Sequence, residues 1–434
     1  MDTISPTALY YTQYLTSYVR RVNISTLKNL VTQSLTGRTS SDHEDSSRDH
    51  RIVYHHLWNS SPGLRQGNRL FTADIYKEYK KQEKSNFLIS PFSAEVVLGL
   101  THSGAKDATA QELRTSLHFP NNDQAIRSGI RSYFESLEPR DSNEYQFHSA
   151  NKIYVKENLP IKAEFKQIAT TDYQAEVENI DFSQKTEAAN TINQWVEKQT
   201  KNKIRNLMDE KSLGDDVAAV LINTLYFQGR WLFDFSKEDT KKADFFKSGT
   251  DAVKVDTMFK NHKFYSYFES AELNAKFLEL PFQGRDASFV VVLPNEKDGL
   301  AALEEKSEKV FASHDFKHEL VNLALPKFKI ESKADFKKIL LELGVSKMFT
   351  NEADLSGIAA NKGDLTVGEV VQKTFIDVNE EGVEAAAATE VLPVLGSGFT
   401  PDPPKDFIVD HPFIFYIKVH DVVLFAGRVV EPKQ

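Results

Sequence analysis

Two serines occupy glycine contexts that resemble those of reactive nucleophiles. Ser103 precedes a glycine, and Ser397 lies between Gly396 and Gly398. Neither serine completes the Gly-x-Ser-x-Gly turn that presents a hydrolase nucleophile. The run Leu-Gly-Ser-Gly that ends at Gly398 is also too short for a phosphate cradle, and neither a helix pattern nor a lysine follows it. Flexible turns therefore explain both serines better than catalysis does.

Histidine and glutamate pairs are equally incomplete as catalytic or metal-binding groups. His314 and His318 are four residues apart, but the segment lacks the glutamate of the zinc motif His-Glu-x-x-His. Glu380 and Glu381 are adjacent, so their side chains would point apart on a helix and could not share a proton. We expect no catalytic residue, metal site or cofactor in this chain, and we expect that it is not an enzyme.

The composition excludes further classes of function. The chain has 434 residues and no cysteine, which removes thiol nucleophiles, disulfides and thiolate zinc sites. Its net charge of -9 argues against binding to nucleic acid or to an anionic membrane. No apolar run approaches the roughly 18 residues of a membrane helix. These properties favour a globular protein whose partners are proteins or neutral ligands.

The first 67 residues differ in amino-acid composition from the rest of the chain. Residues 3–41 contain no acidic side chain, and residues 40–50 are strongly polar. No compact apolar signal core is present, so an organelle transit peptide, another kind of leader and a plain disordered tail all remain open. We predict an N-terminal extension over residues 1–67 and one globular domain over residues 68–434.

Periodic patterns predict the elements of the globular domain. Apolar residues at helical spacing predict helices over residues 69–82, 90–105, 123–137, 187–200, 299–305 and 332–343. Runs rich in β-branched and aromatic residues predict strands over residues 148–155, 218–227, 253–259, 276–282, 287–294, 321–330, 370–378 and 411–430. Helices come early and strands come late, without an internal repeat. This order predicts an α+β fold with large, mostly antiparallel sheets rather than repeated βαβ units.

Residues 379–407 form an unusual segment between two strong strands. An alanine run passes into a stretch rich in glycine, serine and proline. Propensity alone favours an alanine-rich helix followed by a linker. Counting by two gives a second interpretation, because small or apolar side chains fall on one face and Glu384 and Glu390 fall on the other. Such a segment could enter a sheet as a strand, since no charged group would face inward.

Four separated blocks resemble the serpins, a family of serine protease inhibitors. They are residues 86–113, 220–235, 323–358 and 407–417, and together the similarity covers residues 68–432. The alanine-rich segment resembles the hinge and reactive-centre loop of arthropod inhibitory members. The resemblance implies the serpin fold, in which packed helices surround large mixed or antiparallel sheets, with an exposed loop at about residues 380–406.

The resemblance also implies a mechanism and the residues that carry it. A serine protease attacks the loop, and the cut loop inserts into the main sheet before the acyl-enzyme is hydrolysed, so the inhibitor is a suicide substrate. The implied hinge comprises Glu380, Glu381, Gly382, Val383, Glu384, Ala385, Ala386, Ala387, Ala388 and Thr389. Ser90, Ser93, Asn223 and Gln372 match the polar cluster, called the shutter, beneath the sheet. Many members have histidine where this chain has Gln372, and glutamine still donates and accepts hydrogen bonds.

The position of the cleaved bond depends on how the loop is counted. Counting forward from Gly382 gives the bond between Gly396 and Ser397, whereas counting back from Pro412 falls near Thr400. Candidate residues for the reactive bond are Leu395, Gly396, Ser397 and Phe399. No lysine or arginine lies between Lys373 and Lys405, so a trypsin-like target is disfavoured. An elastase-like or chymotrypsin-like protease fits these residues better.

A non-inhibitory serpin that carries a ligand or binds a partner is the alternative. For the inhibitory case we expect a monomer that forms a covalent complex with a serine protease, without nucleic-acid or membrane partners. A weak polyanion site is one interpretation of the spaced lysines Lys152, Lys156, Lys162 and Lys166, although solvated side chains are the more ordinary one. The resemblance favours an extracellular location, and a cytoplasmic or organellar one stays open.

Overall fold

The structure is a computed structural model that describes residues 62–137, 144–214, 217–383 and 403–433. The helices of the described residues are α1 (Pro62–Gln82), α2 (Pro91–Gly104), α3 (Asp107–Ser116), α4 (Asp123–Leu137), α5 (Ala163–Asp172), α6 (Lys185–Gln199), α7 (Leu300–Glu304), α8 (Ser307–Val310) and α9 (Phe336–Glu342). The strands are β1 (Phe87–Ile89), β2 (Tyr145–Lys156), β3 (Ala175–Ile180), β4 (Ala219–Arg230), β5 (Lys241–Ser248), β6 (Asp251–Ser270), β7 (Ala275–Pro281), β8 (Ala287–Pro294), β9 (Lys317–Pro326), β10 (Phe328–Asp335), β11 (Val367–Asn379), β12 (Gly382–Val383), β13 (Lys405–Ile408), β14 (Phe413–Val419) and β15 (Val422–Val429).

A six-stranded sheet carries the segment of interest. Its strand order is β10-β11-β12-β4-β2-β3, and β11 also pairs directly with β4. The pairs β10–β11 and β2–β4 are antiparallel, whereas β11–β4 and β2–β3 are parallel. The short strand β12 therefore lies between two long strands over only part of their length.

The nine-stranded sheet has the path β1-β15-β14-β8-β7-β6-β9-β13, with β5 added beside β6. All its pairs are antiparallel except β13–β9, which is parallel. The edge strand β13 begins at Lys405, two residues after the described chain resumes at residue 403. This sheet consequently holds the C-terminal end of the loop predicted from the sequence.

The core occupies both faces of the six-stranded sheet. Helix α2 lies on one face and is buried over almost its whole length, because most of its residues are apolar or small. Helix α6 lies on the other face, where Ile192 and Val196 join a second cluster with Val220 and Ile222 of β4. Alternate residues of β4 thus enter the two clusters, as the pleat of a strand requires.

The α+β class is confirmed, and most predicted elements exist. Helix α4 has the predicted bounds, and every predicted strand run is a strand. The run at 321–330 divides at Lys327 into β9 and β10, which belong to different sheets. Helix α1 begins at Pro62, inside the predicted extension. In the part of the chain that the structure describes, no helix is long and apolar enough to cross a membrane.

The helix predicted at 332–343 is wrong in its first part. Residues 332–335 belong to β10 and pair with β11, and α9 begins only at Phe336. Asp335 caps that helix, because its side chain accepts a hydrogen bond from the backbone N–H of Lys337 at 3.1 Å. The alternation of buried and exposed residues along β10 has the period of a strand and contradicts a helical start.

Candidate functional site between two strands of the six-stranded sheet

The centre of the six-stranded sheet is a seam between β4 and β11. These parallel strands pair directly from Val367 beside Ala219 to Thr374 beside Leu225. Beyond that point they diverge, and Gly382 and Val383 lie between them, antiparallel to both strands. The sheet is therefore closed along most of the seam and opened by a two-residue wedge at one end.

Gly382 makes the sharp entry into the wedge. Its φ is +150°, and a Cβ atom there would lie 2.0 Å from the carbonyl oxygen of Gly229. Any side chain would thus collide with the neighbouring strand, in a backbone conformation that residues with side chains rarely adopt. The identity of this residue is fixed by the close approach of two backbones.

Val383 is the tip of the wedge and is 1% exposed. It lies opposite Val378 of β11 and Gly229 of β4, and its side chain belongs to the main hydrophobic core. Burial of a valine side chain stabilises a fold by about 1.5–3 kcal/mol. The start of the segment is thus anchored inside the sheet by apolar packing.

A buried carboxylate holds the turn that precedes the wedge. Glu380 is 5% exposed, and its carboxylate accepts hydrogen bonds from Lys327 Nζ at 3.0 Å and Thr240 Oγ1 at 2.9 Å. Burial alone would raise the pKa of Glu380, but the bonds from Lys327, from its own backbone and from Thr240 lower it overall. Glu380 is consequently a buried, charged anchor, and we call these three residues the clamp.

Backbone contacts attach the same turn to the loop after β4. The N–H of Trp231 donates to the carbonyl of Glu381 at 3.1 Å, and the N–H of Phe235 donates to that of Glu380 at 2.9 Å. The indole Nε1 of Trp231 also donates to the carbonyl of Asn379 at 2.9 Å. Its ring stacks on Phe282 with centroids 4.9 Å apart. The turn is therefore held in place on a rigid aromatic support.

A row of amide side chains crosses the seam on the face of α2. Gln372 of β11 lies beside Asn223 of β4, which in turn lies beside Asn151 of β2. Gln372 Nε2 donates to Asn223 Oδ1 at 2.6 Å, and Asn223 Nδ2 donates to Asn151 Oδ1 at 3.0 Å. All three are buried, so each hydrogen bond replaces one that water cannot supply. We call these three residues the amide row.

The N-terminus of α2 completes this polar network. Ser90 caps the helix, and its hydroxyl accepts from the N–H of Ser93 while donating to the carbonyl of Leu424 at 2.8 Å. Gln372 binds the backbone of Ser90 twice, accepting from its N–H at 2.7 Å and donating to its carbonyl at 2.8 Å. Ser93 Oγ contacts Asn151 Oδ1 at 3.4 Å. The structure thus brings the four predicted shutter residues into one buried cluster.

The remaining predicted site residues divide into two groups. Glu380, Glu381, Gly382 and Val383 lie at the seam, as described above. The other hinge and reactive-bond residues, Glu384, Ala385, Ala386, Ala387, Ala388, Thr389, Leu395, Gly396, Ser397 and Phe399, lie outside the described residues.

Sequence reasoning missed Asn151 and the partners of Glu380 in the clamp. Asn151 is a polar residue inside the strand predicted over residues 148–155, and an asparagine at such a position was an available signal. Lys327 and Thr240 are 53 and 140 residues from Glu380, and no local pattern connects them with it.

Other polar groups singled out in the sequence have structural roles. The ring of His314 stacks on Phe268 with centroids 4.8 Å apart, and burial lowers its pKa. Among the described residues no cluster of histidine and acidic side chains could hold a metal ion. The proposed lysine patch is wrong for Lys152, which is buried and ion-paired with Glu176 at 2.9 Å and with Glu178 at 2.5 Å.

The comparison with family models gives one match that covers nearly all of the described chain. The model for Serpin (serine protease inhibitor) matches residues 66–432. The chain belongs to the serpin family. Among solved structures this serpin is similar to Serpin48, described as a highly specific serpin in the insect Tenebrio molitor, with 49% identity and a TM-score of 0.80. That similarity covers 86% of this chain and 99% of the other.

Two further relatives show how widely the family resemblance extends. Antichymotrypsin-2 of Bombyx mori is 37% identical over 374 residues, which cover 85% of this serpin and 98% of the relative. The crystal structure of uncleaved ovalbumin is 29% identical, with a TM-score of 0.75 over 85% of this chain and all of the other. The serpin assignment made from four sequence blocks is confirmed, and so is the similarity to insect members.

Proposed function

We propose that this serpin is a suicide-substrate inhibitor of a chymotrypsin-like or elastase-like serine protease. The protease serine attacks the loop, its Oγ forms an ester with the loop carbonyl, and the broken peptide bond leaves a new amino terminus on the C-terminal piece. The cut loop then enters the seam and the ester is trapped before water reaches it. The observation that carries this proposal is the seam itself, closed over most of its length and already opened by Gly382 and Val383.

The register of the wedge gives the path of insertion. Gln372 lies six residues before Val378 on β11, and Asn223 lies six residues before Gly229 on β4. Six residues forward from Val383 lies Thr389. A strand that continues the wedge antiparallel to both neighbours therefore delivers Thr389 between Gln372 and Asn223. Direct cross-strand partners share a face, so the Thr389 hydroxyl would join the amide row.

The same count places the end of the inserted strand. Ten residues forward from Val383 is Pro393, which would arrive opposite Gly368 and Ala219 at the far end of the seam. Proline cannot donate to a ladder, and this is where the ladder ends. Pro393 would thus fall where insertion is already complete.

The energetic direction of insertion also follows from the pairing. In the closed seam β4 and β11 are joined by one parallel ladder of hydrogen bonds, with seven paired positions from Val367 to Thr374. An inserted strand replaces it by two antiparallel ladders and buries the small side chains of the loop. The uncut protein keeps the closed seam because the loop is held at both ends, by the clamp and by β13.

A covalent-complex assay tests the proposal. The protein is incubated with chymotrypsin, elastase and trypsin, and the products are separated on a denaturing gel. We expect a band of protease plus serpin with chymotrypsin or elastase, and no band with protease whose active serine has been blocked. Mass spectrometry of the released C-terminal peptide identifies the cut bond. Cleavage by every protease without a complex, and without a rise in the melting temperature, would contradict inhibition and favour the carrier role.

A further inference from the structure

The strand β13 makes few contacts of its own. It is an edge strand of four residues, and among the described strands it pairs only with β9. Phe407 is buried, whereas Lys405, Asp406 and Ile408 are exposed. A short strand with one neighbour and one buried side chain removes little apolar surface from water. We therefore expect the position of β13, and with it that of the C-terminal end of the loop, to depend on the turn that follows.

The turn after β13 is bound to two further strands of the nine-stranded sheet. The carbonyl of Asp410 accepts a hydrogen bond from the N–H of Phe246 on β5 at 2.7 Å. His411 Nε2 lies 2.8 Å from the carbonyl oxygen of Pro294, the last residue of β8. Neither β5 nor β8 is next to β13 in the sheet. These bonds thus tie the edge strand to parts of the sheet that β9 does not reach, and we call residues 409–411 the anchor turn.

Both ring nitrogens of His411 face hydrogen-bond acceptors. Nδ1 lies 2.6 Å from Asp410 Oδ1, and Nε2 faces the Pro294 carbonyl, which has no hydrogen to donate. Burial alone would raise the pKa of Asp410, but the bond from His411 and the charges of His411 and Lys297 lower it overall, so this carboxylate is ionised. A carboxylate and a carbonyl only accept, so the two bonds together require a ring that carries both protons. The His411 side chain is 7% exposed, which leaves water little access to replace either bond.

The other charged groups around the anchor turn do not change their charge near neutral pH. Lys297, on the connection after β8, acts on the carboxylate of the anchor turn. Lys247 of β5 is ion-paired with Asp251 at 3.2 Å and with Glu431 at 3.9 Å. Lysines and paired carboxylates stay charged from about pH 5.5 to about pH 8, whereas histidine titrates in that range. A change of charge at the anchor turn in this range therefore comes from its histidine.

We propose that β13 is fastened by a proton on His411, so that the C-terminal end of the loop is held firmly while the ring carries both protons and loosens when one is lost to solvent. The neutral ring donates only one hydrogen bond, and its other nitrogen then turns a lone pair towards an acceptor. Bonds from charged donors are also the stronger ones. The fastening is therefore present at low pH and is lost as the pH rises. This inference concerns the uncut protein alone and does not depend on the inhibition of a protease.

Amide hydrogen exchange of the uncut protein, followed by mass spectrometry, tests the proposal. The exchange rate of residues 405–409, relative to that of an unstructured chain at the same pH, is compared at about pH 5.5 and about pH 8.5. We expect the protection of the wild type to fall about tenfold between the two, from the loss of one bond to a charged donor. His411→Arg keeps a permanent charge and several donors, so it should stay protected at both. His411→Gln cannot hold the second proton and should be loosened at both. The strand β3 of the other sheet is the internal control, and neither variant should change its protection.

Three results would overturn the inference. The first is a wild type in which residues 405–409 are equally protected at both pH values. The second is a fall in His411→Arg as large as in the wild type, because another group would then be responsible. Asp410→Asn gives the third and keeps the test decisive if His411→Arg does not fold. A neutral amide favours the charged ring less than a carboxylate does, so the loss of protection should move to lower pH, and an unmoved loss would contradict the role of the pair.

Discussion

Replacing Thr389 by valine should impair trapping while leaving the loop a good substrate. The register of the wedge predicts that this residue reaches Gln372 and Asn223 when the loop inserts. Insertion roughly doubles the distance between β4 and β11, from about 4.8 Å to about 9.6 Å. The 2.6 Å hydrogen bond between Gln372 Nε2 and Asn223 Oδ1 cannot survive that separation. The Thr389 hydroxyl can then donate to one amide and accept from the other.

Valine has the same shape as threonine but cannot make these bonds. Two buried amides would lose a partner, at a cost of about 1–3 kcal/mol for an unsatisfied group. A cost of about 2 kcal/mol in the inserting state slows insertion about thirtyfold. Hydrolysis of the acyl-enzyme is unaffected, so a larger share of the protein should be cleaved without trapping the protease. The stability of the cleaved, inserted form should fall by a similar free energy.

The assay is the stoichiometry of inhibition, together with the melting temperature of the cleaved protein. Thr389→Ser is the matched control, because serine keeps the hydroxyl and should behave like the wild type. Thr389→Val should raise the number of serpin molecules consumed per protease inactivated and lower the melting temperature of the cleaved form only. Wild-type values for both quantities in Thr389→Val would refute the register and the role of the amide row.

Substitutions at three further positions test the seam and the helix α2 beneath it. Val383→Asp places a charge at a buried position and should abolish the covalent complex on denaturing gels, while Val383→Ala reduces it only partly. Glu380→Gln leaves the half-buried Lys327 without its anion and should lower the free energy of unfolding by about 1–2 kcal/mol in urea. That loss should be present above the ordinary pKa of glutamate and vanish as the pH falls through the lowered pKa of Glu380. Burial raises the pKa of Glu95, on α2, to about 8. The folded protein therefore holds a proton that the unfolded chain releases, and the free energy of unfolding of the wild type should fall as the pH rises from about 4.5 to about 8. Glu95→Gln should remove about 3 kcal/mol of that loss at pH 7. A Glu95→Gln stability curve parallel to that of the wild type over this range would contradict the last expectation.

Local sequence patterns predicted the long helices and strands, but they did not predict the element boundaries and short strands that depend on tertiary contacts. The apolar spacing of residues 123–137 predicts α4 with its bounds, because one face of that helix is buried along its whole length. Residues 332–335 were wrongly predicted as helix because the strand β10 runs directly into the helix α9, and the boundary depends on the cap at Asp335. Short strands such as β12 and β13 have too few residues for any period to be visible.

The candidate site was predictable only where the sequence itself carries the constraint. Gly382 and the small residues after it stand out because a strand that enters a sheet excludes bulk and charge. The clamp does not stand out, since Glu380 resembles any surface glutamate until Lys327 and Thr240 are brought to it from connections that are distant in the sequence. Lys152 is the opposite case, because a lysine that resembles a surface group is buried beside two glutamates.

The order of contacts along the seam indicates where the barrier to insertion lies. From Val383 to residue 386 the loop would fill the part of the seam where β4 and β11 have already diverged, and the exchange of one ladder for two begins at Ala387, opposite Thr374 and Leu225. The inward side chains over this stretch are small and apolar. At the next inward residue the entering strand must break the bond between Gln372 and Asn223 before the Thr389 hydroxyl can replace it. A buried polar bond that breaks before it is replaced costs more than its net contribution to stability. In the proposed mechanism we therefore expect the amide row to help hold the seam closed in the uncut protein and to limit the rate at which a cut loop inserts, relative to hydrolysis of the acyl-enzyme.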